Sequence, residues 1–200
     1  MGETTIRRLS RPGDLGWVVQ AHGEIYAAET GWGTPFEALV ARIVADFSDC
    51  ADSAGDPDSP RQAAWIAELD GRRVGCVFCT RADEETAQLR VMLVHPAARG
   101  HGLGALLTAE CIRFARDAGY RRVRLWTTTR QVAARAIYRA AGFELTGQEP
   151  HTDFGETVTG ETYELDLTRT PTGRRADHPG ATGADRARIA VGRSTHARPS

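Results

Sequence analysis

Lysine is missing altogether: every one of the 25 basic side chains in this 200-residue chain is arginine. A GC-rich coding sequence is the simplest source. Cysteine is scarce too. Cys50, Cys76, Cys79 and Cys111 make no disulfide frame, and Cys76-x-x-Cys79 lies inside a strand-like run without the second pair or histidine cluster that a zinc site needs. The four read as small buried hydrophobes, so no metal is expected. There is no signal peptide and no run of eighteen apolar residues, which argues against a membrane partner and points to the cytoplasm. What is present, a 41% apolar fraction over 200 residues, suits one domain with a core of ordinary size.

Patterning predicts a strand over Ile6–Leu9 and a helix over Leu15–Glu29, with Asp14 as its N-cap and Leu15, Val18, Val19, His22, Ile25 and Tyr26 on one face. Thr34 caps a second helix over Pro35–Phe47, and Ser48–Arg61, rich in Asp, Ser, Pro and Gly, reads as a mobile surface loop. Ala64–Leu69 and Val74–Thr80 form a hairpin through Asp70-Gly71, followed by a third antiparallel strand, Thr86–Val94. A helix over Gly102–Ala118 then makes the strand Val123–Thr127 parallel to Thr86–Val94. A short helix around Tyr138 ends at Gly142, a strand starts at Phe143, and Thr162–Leu167 is expected to close the sheet.

The composition changes at Thr168. Residues 169–200 hold seven Arg and two Asp among small and polar residues, too little apolar surface to offset the entropy of ordering. Subtracting these from the 25 basic and 26 acidic residues leaves eighteen Arg against twenty-four acids, a domain (1–168) of about −6 joined to a disordered tail of about +5. The tail has no aromatic residues to stack on bases, so nucleic acid is not an expected partner.

The stretch Val94-His95-Pro96-Ala97-Ala98-Arg99-Gly100-His101-Gly102-Leu103-Gly104-Ala105-Leu106-Leu107 takes an apolar strand through a glycine turn into a helix. Glycines let the backbone approach a ligand closely, and the unpaired amides at a helix start favour an anion such as a pyrophosphate, with Arg99 as a cation beside it. Gly100-x-Gly102-x-x-Ala105 also fits the dinucleotide fingerprint. That reading requires an acid at the end of the next strand, where Tyr120–Trp126 offers only basic and apolar side chains.

Arg99-Gly100-His101-Gly102-Leu103-Gly104 resembles the acyl-CoA pyrophosphate loop of the GNAT acetyltransferase superfamily, and Ala136-Ile137-Tyr138-Arg139-Ala140-Ala141-Gly142-Phe143 resembles its second motif, a helix bearing a tyrosine and ending in Gly-Phe. The order and spacing match, and the resemblance covers roughly residues 4 to 168. Around Gly13–Trp17 and His22–Tyr26 the chain looks more narrowly like acetyltransferase domains fused behind a MarR-like regulator. With about five residues ahead of the domain, no DNA-binding module is expected here.

The resemblance implies an α/β acyl-CoA N-acyltransferase fold: a mostly antiparallel sheet with one splayed parallel pair, flanked by helices. It implies acetyl-CoA as co-substrate, with no metal. Backbone groups of Met92, Leu93 and Val94 would pair with the pantetheine, and Arg99, Gly100, His101, Gly102, Leu103, Gly104 and Ala105 would hold the pyrophosphate. Gln131 stands where family members often carry Asn. Tyr138 is the expected acid for the leaving thiolate, and the amide of Leu93 or Val94 the oxyanion donor.

The base is open among His22, Glu24, Glu29, Glu85, Glu149, His151 and water. For the acceptor, His22, Tyr26, Glu29, Trp32, His151 and Phe154 form an aromatic, sparsely charged set that suits a small-molecule amine. Lacking lysine, the protein cannot acetylate lysine side chains of its own. A homodimer is an admissible assembly. The competing reading is a non-catalytic acyl-CoA sensor, which needs the loop and not the tyrosine.

Overall fold

The computed structural model describes residues 2–53, 61–152 and 157–169. In chain order these form β1 (Thr4–Arg8), α1 (Asp14–Thr30), α2 (Thr34–Ser53), β2 (Ala63–Leu69), β3 (Arg72–Arg81) and β4 (Thr86–Val94). Then come α3 (Leu103–Asp117), β5 (Arg122–Thr128), α4 (Val132–Ala140), β6 (Glu144–His151) and β7 (Val158–Asp166). The seven strands make one sheet in the order β1-β2-β3-β4-β5-β7-β6, antiparallel except for the pair β4–β5. This is the expected mixed sheet with one parallel pair.

Local chemistry accounts for most of it. Asp70 and Gly71, between β2 and β3, both take positive φ, 51° and 74°, as a two-residue hairpin turn demands. The crossover through α3 forces β4 and β5 to run parallel. Alternation along β2 and β3 then sorts side chains between two helical layers. Trp65, Ala67, Val77 and Cys79 pack with Leu107, Cys111 and Phe114 of α3, while Ile66, Cys76 and Phe78 pack with Val18 and Ile25 of α1 and Val40 and Val44 of α2. With both faces covered, 63–68 and 74–79 are buried without interruption. Cys76, Cys79 and Cys111 are buried free thiols, and the side chain of Cys50 is outside the described residues.

Three expectations need correction. Asp14 does not cap α1: Gly13 precedes the helix in a left-handed conformation, and no side chain caps it. The Asp14 carboxylate is instead 1% exposed, accepting two bonds from Arg7 at 2.7 and 2.9 Å and one each from the amides of Ser10 and Arg11. The Arg7 guanidinium holds its carboxyl far below the ordinary carboxylate range. Second, α2 continues past Phe47 to Ser53, because the strong breakers Gly55 and Pro57 come only later. The rest of the expected loop, 54–60, is outside the described residues. Third, β7 does not close the sheet; it lies between β5 and β6. The edge goes to β6, whose Glu, Gln and Pro side chains an edge tolerates and whose residues are mostly exposed. Of the arginine-rich segment, all but Arg169 is outside the described residues.

One irregularity sets up the site. β4 pairs with β5 only over Thr86–Leu89 against Arg122–Leu125. Directly beyond, Val91 has φ 50°, an angle β-branched residues avoid, and the register against β3 slips, with Phe78 facing Arg90 but Cys76 facing Leu93. This bulge bends the end of β4 away from β5. The strands part.

Candidate active site

Where they part, a cavity of about 900 Å³ opens. Its floor is Gln88–Val94 of β4 and Trp126–Thr128 of β5; its walls are α1 and α2 on one side and the starts of α3 and α4 on the other. Met92, Leu93, Val94, Arg99, Gly100, Gly102, Leu103, Gly104, Ala105, Gln131 and Tyr138 all line it, as do His22, Tyr26, Glu29 and Trp32. Residues from both sequence motifs and from the expected acceptor wall thus share one space.

The backbone along the opening has a defined direction. His95 donates its amide to Val74 O at 2.7 Å, so the next pair, Val94 with Gly75, is a non-hydrogen-bonded one. Val94 therefore turns its N–H away from β3, toward the gap, whereas Leu93 turns its own toward β3. Of the two amides, that of Val94 is the one facing the gap.

The glycine turn has the form an anion cradle requires. Gly100 and Gly102 take φ of 84° and 73°, and a Cβ on either would meet nothing within 4 Å, so the backbone faces open space at the start of α3. Gly104 serves close packing: a Cβ there would stand 2.6 Å from Ile137 Cδ1 and 3.2 Å from Met92 Cε, so the ends of those side chains would have to shift. Arg99 departs from its expected posture. Its guanidinium is held bidentately by Glu29 at the end of α1, at 2.8 and 2.9 Å, and is not aimed into the turn. His101 folds back, its Nδ1 3.1 to 3.2 Å from the carbonyls of Arg99 and Ala98, and does not line the cavity.

Tyr138 reaches the cavity from α4, 5% exposed. Its hydroxyl donates to the Met92 sulfur at 3.6 Å, and burial pushes its pKa well above the usual phenol value. It is a protonated donor already resting on a thioether. On the opposite wall His22 is 2% exposed; Nδ1 lies 2.8 Å from Val18 O, which can only accept, so Nδ1 carries the proton. Nε2 is then a buried lone pair without a partner among the described residues, and burial pushes the ring's pKa down to about 4. Tyr26 stacks on His22 at 5.9 Å and on Trp32 at 5.4 Å, with Phe36 against all three. Trp32 is only 4% exposed, so it supports the wall as core packing while also lining the cavity.

Other expected residues lie elsewhere. Glu85 pairs with Arg121 and Arg122 at the far end of the sheet, and Glu24 accepts from Gln20 on an exposed helix face. Glu149 is exposed on the edge strand β6. His151 is not among the lining residues and packs 4.7 Å from the Trp126 ring of the floor, and Phe154 is outside the described residues. Sequence reasoning passed over Gln88, Arg90 and Trp126 as cavity residues. A half-buried arginine in the alternating pattern of β4 was the available signal. Among the described residues no three His, Cys, Asp or Glu gather as a metal site, and no helix is long and apolar enough to cross a membrane.

The site is thus a sheet parted between two parallel strands, with a glycine turn at one end and a buried tyrosine beside the gap. The model of the acetyltransferase (GNAT) family matches residues 15–143, and the chain belongs to that family. It is 31% identical over 138 residues to N-acetyltransferase 8F1 of Rattus norvegicus, covering 66% of this chain and 62% of the relative. It is 36% identical over 89 residues to human N-acetyltransferase 8B, covering 42% and 39%, and 38% over 94 residues to human N-acetylaspartate synthetase, covering 46% and 31%. The chain thus spans between 31% and 62% of the length of these relatives. In fold it is similar to the ribosomal-protein-alanine N-acetyltransferase of Brucella melitensis, with TM-score 0.65 and 21% identity over 82% of this chain and 99% of that one. A Salmonella typhimurium acetyltransferase solved with acetyl-CoA gives 0.64 and 20% over 82% and 94%.

Proposed function

We propose that this protein transfers an acetyl group from acetyl-CoA to the primary amine of a small molecule, in a ternary complex. The observation that carries the reading is the parted pair β4–β5, which joins the glycine turn, the Val94 amide and the Tyr138 hydroxyl in one cavity. In the reaction the neutral amine nitrogen bonds to the thioester carbonyl carbon, the C–S bond breaks, and the proton the amine sheds passes to water, which returns a proton to Tyr138 after it has protonated the sulfur. Backbone groups of Met92 and Val94 supply strand-like pairing for the pantetheine, and Gly100–Ala105, with Arg99, His101 and Gln131 alongside, serve the phosphates and the cofactor's near end. The Val94 N–H donates to the carbonyl oxygen as negative charge gathers there. Tyr138 gives its proton to the departing sulfur, a role supported by its buried hydroxyl in the cavity, which donates to the Met92 sulfur at 3.6 Å.

His22, Tyr26, Glu29 and Trp32 form the acceptor side, to which His151 and Phe154 belong in this reading. The narrower kinship with MarR-fused acetyltransferase domains, action in the cytoplasm, independence of metal and a homodimeric assembly go with the proposal. Thiol release from acetyl-CoA with a panel of amines tests it. Tyr138→Phe should lower turnover about 10²- to 10⁴-fold with little change in acetyl-CoA affinity. Full activity in that variant removes the acid role. Tight acetyl-CoA binding with no amine acetylated favours a sensor.

A further inference from the structure

We infer that the amine acceptor also carries a carboxylate, that Arg90 binds it, and that the acceptor is therefore an amino acid with an apolar side chain. The inference rests on the acetyltransferase reading above and goes on to its substrate class.

Arg90 lines the cavity and is half-buried, and its guanidinium forms no ion pair or hydrogen bond among the described residues. Asp46 of α2 is the one acid that acts on it, and only from beyond contact distance, while burial lowers its hold on the proton. The other half-buried arginines, Arg7, Arg61, Arg73, Arg122, Arg124 and Arg135, each reach a carboxylate or a carbonyl. A partly desolvated guanidinium without an anion is unfavourable, and in a cavity that anion is most simply a ligand's. Arginine binds a carboxylate through two parallel N–H groups, so the pairing is directional.

Position separates this anion from the cofactor's phosphates. Arg90 precedes Val94 by four residues, roughly 13 Å of strand, and the glycine turn lies beyond Val94. Its register partner on β3 is Phe78, which packs with the α1 and α2 layer, so Arg90 stands on the acceptor wall. On that wall the His22 Nε2 lone pair, buried and neutral at pH 7, accepts from an amine N–H without removing the amine's proton. Tyr26, Phe36, Leu39, Val40 and Ile43 supply the apolar surface between. Carboxylate, amine and apolar side chain each have a counterpart.

The test uses matched acceptors that differ only in the carboxylate: L-phenylalanine against 2-phenylethylamine, and L-leucine against 3-methylbutylamine, each with saturating acetyl-CoA. The wild type should favour the amino acid of each pair in kcat/KM. Arg90→Gln should lower kcat/KM for the amino acid about 10- to 100-fold, mostly through KM, and leave the decarboxylated amine within about twofold. Arg90→Lys should recover part of the loss. Because the variant removes a partly buried cation without a partner, Arg90→Gln should melt no lower than wild type, and circular dichroism verifies that it folds.

Equal kcat/KM within each pair, or an equal loss for both members in Arg90→Gln, overturns the carboxylate site and leaves the transferase reading intact. If no amine is acetylated, the transferase reading falls instead. Calorimetry then decides the carboxylate site: tighter binding of N-acetyl-L-phenylalanine than of N-acetyl-2-phenylethylamine, lost in Arg90→Gln, supports it, and equal binding overturns it.

Discussion

Replacing His22 with phenylalanine keeps an aromatic ring against Tyr26 and Phe36 and removes the imidazole that burial holds neutral. The pKa of His22 in the fold is about 4, against 6.5 when exposed. The unfolded chain therefore binds a proton that the folded chain refuses between those values, and stability, full above about pH 6.5, declines as the pH falls toward 4. At about 1.4 kcal/mol per unit the whole window is worth roughly 3 kcal/mol, of which roughly 2 fall between pH 7.5 and pH 5. Asp14 acts lower: held down by Arg7, it gives stability that is complete above the unfolded carboxylate value of about 4 and is lost only below it. Urea denaturation at pH 7.5 and pH 5 should show the wild-type midpoint falling by about 1 M, and the His22→Phe midpoint falling by much less. If wild type and variant lose the same amount over that interval, His22 is not buried neutral, and its Nε2 is not the lone pair on which the acceptor wall depends.

Gly102→Asp should abolish acetyl-CoA binding in a folded protein, since it adds a side chain at φ 73° and a negative charge where phosphate would sit; calorimetry showing unchanged affinity would take the turn out of the site. Glu29→Gln should tighten acetyl-CoA binding up to about fivefold, the range of an exposed ion pair, because it frees Arg99 from a carboxylate that competes with the cofactor's phosphates. Weaker binding in that variant would mean that Glu29 positions Arg99 for the cofactor.

Much of the fold was legible because its signals are local. Asp70-Gly71 announces a hairpin through two positive φ angles, and an apolar strand followed by a glycine turn and an amphipathic helix announces a crossover. From these the parallel pair and the motif residues around Gly102 and Tyr138 could be placed along the chain. The helix end at Ser53 and the edge position of β6 were not legible, because they depend on what the neighbouring elements cover.

The site itself divides the same way. The residue types at Arg99–Gly104 and at Tyr138 come from the order of amino acids alone, since a glycine turn and a phenol carry their chemistry wherever the chain puts them. Only tertiary structure decided that Val91 would bulge and part β4 from β5, that Val94 rather than Leu93 would face the gap, and that Glu29 would hold Arg99. It also decided that Arg90, with no carboxylate in contact among the described residues, would line the same cavity as a neutral His22. Burial and partnership are properties of a packed neighbourhood, and those neighbours lie far apart in the chain, 70 residues in the case of Glu29 and Arg99.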